Sequence, residues 1–163
     1  MRRRSAAMGL WMCAAVVAVG TLRTGTAFAE LSAADKQTLA ELALQWAADG
    51  GIPDVKLQHD PSKLVVVNLN LPPNTVLRVP NRTVSLKSPM RIQAEADMVG
   101  DLLYFRLGPF TGDKDRATVA IALLWAIGVR SKTTYLSGGG STLQFQQRDG
   151  KWTLLPVNER WTS

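Results

Sequence analysis

The dipeptide Asp149-Gly150 lies between two runs that alternate apolar and polar residues, and it constrains this chain more than any other feature. Both central positions of a two-residue hairpin turn need a positive φ, which Asp and Gly adopt at little cost, so the pair predicts a type I′ turn. The turn also sets the register, opposing Arg148 to Lys151, Gln147 to Trp152 and Phe145 to Leu154. Leu143, Phe145, Trp152 and Leu154 then share one face, and an apolar sheet face needs a second layer to cover it. Pro156 cannot donate to a ladder and marks an edge or a bulge.

The preceding residues supply partners for this hairpin. Residues 102–110 read as a strand, 111–115 as a polar turn in which Asp113 and Asp115 flank Lys114, and 117–129 as a long strand. In the long strand Val119, Ile121, Leu123, Trp125 and Ile127 alternate with Thr118, Ala120, Ala122, Leu124 and Ala126. Strict alternation of the large residues favours a strand over a helix despite the alanines. The four strands form an antiparallel meander.

Two helices and two earlier strands complete the pattern. Ser32 with Asp35 three positions on forms a capping box, and Leu39, Leu42, Ala43 and Trp46 fall on one helical face. Gly50-Gly51 and then Pro53 end this helix. Residues 63–71 read as a strand closed by Pro72-Pro73, and 76–86 as a second strand interrupted at Pro80-Asn81. A short helix follows, with Ser88 as N-cap, Pro89 in the first turn, a stripe of Ile92, Ala96 and Val99, and Gly100 as the stop. The fold class is therefore α+β: an N-terminal helix and a short second helix packed on a curved antiparallel sheet that ends in a four-strand meander.

The chain opens with Met1-Arg2-Arg3-Arg4, an apolar run and then Ala27-Phe28-Ala29, the three parts of a secretory signal peptide. The apolar run is shorter than the roughly 20 residues a spanning helix needs. Residues 1–29 are expected to be a cleaved signal and 30–163 a single exported domain, periplasmic or extracellular, with no transmembrane segment. Ser5-Ala6-Ala7 after the arginines argues against twin-arginine export, and Trp11-Met12 before Cys13 argues against lipidation. The net charge of +6 is mostly this label. Four of the 19 basic residues and none of the 13 acids precede Glu30, which leaves 15 against 13, or +2. Nucleic acid is accordingly not an expected partner.

The order helix, strand, strand, helix and four-strand meander, with residues 143–148, Asp149-Gly150-Lys151-Trp152 and Trp161 at its end, resembles the cone-shaped α+β fold shared by ketosteroid isomerase and nuclear transport factor. That family usually has two N-terminal helices where this chain shows one. The likeness implies a pocket on the concave sheet face, in which a carboxyl base works beside acids held neutral by apolar surroundings. Asp54, Asp60, Asp97 or Asp101 with Tyr104 would be the candidates for such an isomerase or hydratase. The chain is also similar to secreted bacterial proteins that end in a Leu-Ser-Gly-Gly-Gly stretch and a Trp-containing hairpin, a likeness that implies export and no particular activity.

The residues themselves carry little chemistry. His59 is the single histidine and no cysteine follows Cys13, so neither a metal site nor a Cys- or His-based catalytic set is indicated, and no cofactor is expected. Ser137-Gly138-Gly139-Gly140-Ser141 exposes backbone amides that can cradle an anion, but a strand rather than a helix follows, and no Lys stands after the last glycine. From Lys63 to Arg91 there is no acid; Arg78, Arg82 and Arg91 are candidates for binding a polyanion there. Asn81-Arg82-Thr83 is a glycosylation sequon. Opposite the core face, Leu102, Tyr104, Ala120, Ala122, Leu124, Ala126 and Leu155 would form a second, half-apolar sheet surface, suited to a homodimer or a protein partner. The leading expectation is a binding domain for a protein partner or a small apolar ligand, with Tyr104, Trp125, Gly138, Gly139 and Gly140 as its ligand-binding candidates.

Overall fold

The computed structural model describes residues 30–52, 62–132 and 138–162. Helix α1 (Ala33–Trp46) starts where the capping box places it: Asp35 N donates to Ser32 Oγ, and the Asp35 carboxylate accepts from Ser32 N. The helix closes in a wider π-type turn, Ala47–Gly51, at Gly50 with φ +94°. Pro53 and His59 lie outside the described residues. Seven strands follow in one curled mixed sheet: β1 (Lys63–Val67), β2 (Thr83–Lys87), β3 (Leu102–Gly112), β4 (Arg116–Ala126), β5 (Gly139–Arg148), β6 (Lys151–Leu154) and β7 (Arg160–Thr162). Helix α2 (Pro89–Val99) connects β2 to β3 and carries the expected Ser88 cap and proline.

The spatial order is β2-β1-β3-β4-β5-β6, with β7 on β5. From β3 to β6 the strands form the antiparallel meander, and the closing hairpin has the register that its turn dictates, Phe145 opposite Leu154 and Arg148 opposite Lys151. Asp149 and Gly150 both take positive φ. In the β3–β4 turn Asp113 accepts from the amides of Asp115 and Arg116 at 2.8 and 2.9 Å, which holds its carboxyl below the ordinary 3.8.

The first part of the sheet departs from the all-antiparallel expectation. β1 runs parallel to both β2 and β3. The second strand is also shorter than residues 76–86, because the stretch before Thr83 packs along α1 instead of joining the ladder. Leu77 and Val79 are buried in the core, Gln37 donates to the Val76 carbonyl, and Glu41 accepts from the Arg78 amide. Those contacts carry the chain back so that β2 enters in the same direction as β1.

The two sheet faces follow strand parity. On the inner face Leu64, Val66, Leu103, Phe105, Leu107, Val119, Ile121, Leu143, Phe145 and Trp152 pack with Leu39, Ala40, Ala43 and Leu44 of α1. The centre of the helix stripe is thus Ala40 and Leu44, while Leu42 and Trp46 border it, half-buried. On the outer face Ile92 and Ala96 of α2 pack with Val67 and Ala126, flanked by Val65, Leu102 and Tyr104. Val99, expected on that stripe, is 73% exposed at the end of the helix, and only Ile92 and Ala96 of the stripe are buried. No helix among the described residues is long and apolar enough to cross a membrane.

Candidate functional site

The inner face leaves little room. Phe145, Leu39, Leu44, Ile121 and Leu143 fill the space between α1 and the sheet, and each is under 2% exposed. The space between α1 and the sheet is thus occupied by the protein's own side chains. The candidate acids have other partners. Asp101 accepts from the Gly128 amide at 2.9 Å and the Ser131 hydroxyl at 2.7 Å, and Asp97 accepts from the Val129 amide at 3.0 Å. Gln93 adds a bond to the Ile127 carbonyl at 2.8 Å. Together they pull residues 127–131 out of the sheet, which is why β4 stops at Ala126 and not at Val129. Asp54 and Asp60 lie outside the described residues.

Shallow clefts of about 340 and 470 Å³ lie at the end of α1 around Asp49, and a roomier space lies on the outer face. A groove of about 730 Å³ runs between α2 and the sheet, walled by Val67, Leu69, Met90, Ile92, Tyr104 and Ala126, with Trp125 and Arg106 at its borders. Tyr104 reaches it because even positions of β3 face outward; Trp125 packs mainly against the inner core and contributes an edge. Two of the expected ligand-binding residues are thus brought together. A cleft of about 350 Å³ shares Leu69 and Arg106 with the groove and continues across Gly108, Ala120, Ala122 and Thr142 to Trp161.

The floor of that cleft is explained by register. Val67, Arg106, Ala122, Gly140 and Trp161 oppose one another on successive strands, so they form one row across the outer face. Ala122 keeps the floor low beside Arg106, while the Trp161 ring lies against Gly140; the two backbones of Arg106 and Trp161 are about 14 Å apart at three strand spacings.

The glycine run has a different role from an anion cradle. Gly139 and Gly140 are strand residues between β4 and β7, so their amides belong to ladders. A Cβ on Gly140 would stand 2.5 Å from the Ile121 carbonyl and 2.7 Å from the Trp161 ring. The glycine admits the tryptophan. Ser141 donates its hydroxyl to the Glu159 carbonyl and helps seat β7. Gly138 is buried beside them.

The basic stretch is divided. Arg82 pairs with Asp49 at 2.7 Å on the α1 side, Lys87 pairs with Glu95 of α2, and Arg91 lies exposed on α2, across the sheet from Arg82. Arg78 is exposed on the stretch along α1. The three candidate arginines do not share one surface. Arg106 was not a candidate, although its position two residues from Tyr104 on the outward parity was legible.

Among the described residues no cluster of His, Cys, Asp and Glu is placed to hold a metal ion. Comparison of the chain with family models, with curated proteins and with solved structures found no match in any of the three. The α+β architecture alone does not single out a superfamily. The outer groove is therefore the candidate site on its geometry.

Proposed function

We propose that this protein is an exported binding domain that takes an apolar ligand in the groove between α2 and the outer sheet face. One observation carries this reading. Met90 is 81% exposed, Leu69 55% and Ile127 45%, and all three border a single groove. Isolated exposed apolar residues are ordinary, but several around one concavity mark a surface that is covered in use. The basic head, apolar run and Ala27-Phe28-Ala29 of the first 29 residues support export.

The isomerase or hydratase alternative has less support. No Asp or Glu is among the described residues that line the groove, and Asp97 and Asp101 hold the 127–131 loop. A polyanion surface is likewise less favoured with Arg82 and Lys87 paired to acids.

Titration with a neutral solvatochromic dye tests the reading. Emission should rise and shift blue with the wild-type protein, fall sharply in Met90→Asp, and persist in Leu42→Asp on the α1 side. Equal loss in both variants, or none in either, would remove the outer groove as the site. Light scattering that shows a dimer whose dissociation accompanies Met90→Asp would replace the small ligand by a second copy of the chain.

A further inference from the structure

Arg106 stands where the groove and the cleft meet, and both count it and Leu69 among their walls. Lys36, Arg82 and Lys87 each meet a carboxylate, whereas among the described residues no acidic side chain meets the Arg106 guanidinium, and no Asp or Glu lines either space. A lone cation on a surface facing bulk water is unremarkable. Here it adjoins an apolar trough, and a ligand that filled the trough would cover the arginine stem and part of its shell of water.

We infer that the ligand is a single-chain amphiphile with an anionic head, a soluble long-chain carboxylate, whose chain lies in the α2 groove and whose head meets Arg106. This rests on the reading of the outer face as a binding surface and names its ligand class. The fit has three parts. Val67, Met90, Ile92 and Ala126 give the chain an apolar bed, and methionine adapts its shape to a flexible guest. The volume of about 730 Å³ lies within the range of small-ligand sites. Tyr104 and Arg106 are two residues apart on one strand and face the same way, roughly 7 Å along β3, so a phenol and a guanidinium line the same groove. Guanidinium binds carboxylate through paired donors, an interaction that strengthens as the apolar chain excludes water. An ammonium head would meet repulsion, and an alcohol would leave the cation partly desolvated without a counter-charge.

Calorimetric titration of the full-length protein with dodecanoate, dodecanol and dodecyltrimethylammonium, each below its micelle concentration, tests this. Dodecanoate is expected to bind about tenfold more tightly than dodecanol, the value of one charge-assisted contact at a partly exposed site. The ammonium should bind most weakly. Arg106→Gln should remove the preference, bringing dodecanoate and dodecanol to within about twofold of each other, with circular dichroism confirming the fold. Equal binding of dodecanoate and dodecanol, before and after Arg106→Gln, would overturn the anionic head and leave the apolar groove standing. If none of the three binds, the apolar-ligand reading itself falls.

Discussion

The two faces of one sheet are finished differently. On the inner face α1 presents Leu39, Ala40, Ala43 and Leu44 within two turns, and these meet a continuous field of Leu, Val, Ile and Phe. On the outer face α2 buries only Ile92 and Ala96, leaving Met90, Met98 and Val99 in solvent. Both helices are capped by serine, so the difference lies in the width of the apolar stripe and in what the sheet offers beneath it. Large inward residues close one face. Small outward ones, Ala120 and Ala122, keep the other low where α2 does not reach. An apolar face predicted from strand parity can therefore become a core or a cleft, depending on its covering helix.

Unequal stability effects would sharpen this contrast. Phe145→Ala, in the inner core at 1% exposure, is expected to cost about 4 kcal/mol in urea unfolding. Ile92→Ala removes the centre of the outer cluster, which is small and open enough to relax, so about 2 kcal/mol is expected from the same measurement. An equal or larger loss for Ile92→Ala would break the distinction between the faces. Gly140→Val forces a side chain against the Ile121 carbonyl and the Trp161 ring. It should cost about 2 kcal/mol and detach β7, read as a red shift in Trp161 emission relative to a Trp161→Phe control.

Smaller effects concern the tie between α1 and the closing hairpin. The Asp35 carboxylate accepts from the Ser32 hydroxyl at 2.6 Å and from Trp152 Nε1 at 2.8 Å, and these bonds, the serine's first, hold its pKa below the ordinary 3.8. A lowered native pKa stabilises the fold above the unfolded value, and that contribution is lost as pH falls through the native one. Asp35→Asn should thus cost about 1 kcal/mol at neutral pH, and the gap should narrow below pH 3.8. A gap unchanged into strong acid would contradict the assignment. At the bottom of the scale, Arg106→Gln should move stability by less than about 0.5 kcal/mol, as expected of an exposed side chain with no acidic partner among the described residues.

Much of this architecture was legible where local chemistry decides it. Asp149-Gly150 gives the hairpin its register, Ser32-Asp35 starts α1, Ser88-Pro89 starts α2, and parity along residues 117–126 separates inward from outward side chains. The rest depends on contacts distant in sequence. Residues 76–82 have strand-like composition, yet Leu77 and Val79 pack along α1, and so β1 and β2 pair in parallel. Three residues are too few to show a period, so β7 and its docking over Gly140 had no signal beyond the glycine itself. At the candidate site Tyr104 and its outward neighbours were readable from parity. The placement of α2 across half of that face, which turns it into a groove with Arg106 at its mouth, was not.

The most direct test follows backbone amide resonances while dodecanoate is added. If the outer face is the binding face, shifts should gather at Met90–Gln93, Tyr104–Arg106 and Ala126–Ile127, while α1 and the Leu42–Trp46 surface stay unchanged. Shifts centred on α1, or none anywhere at saturating ligand, would contradict it.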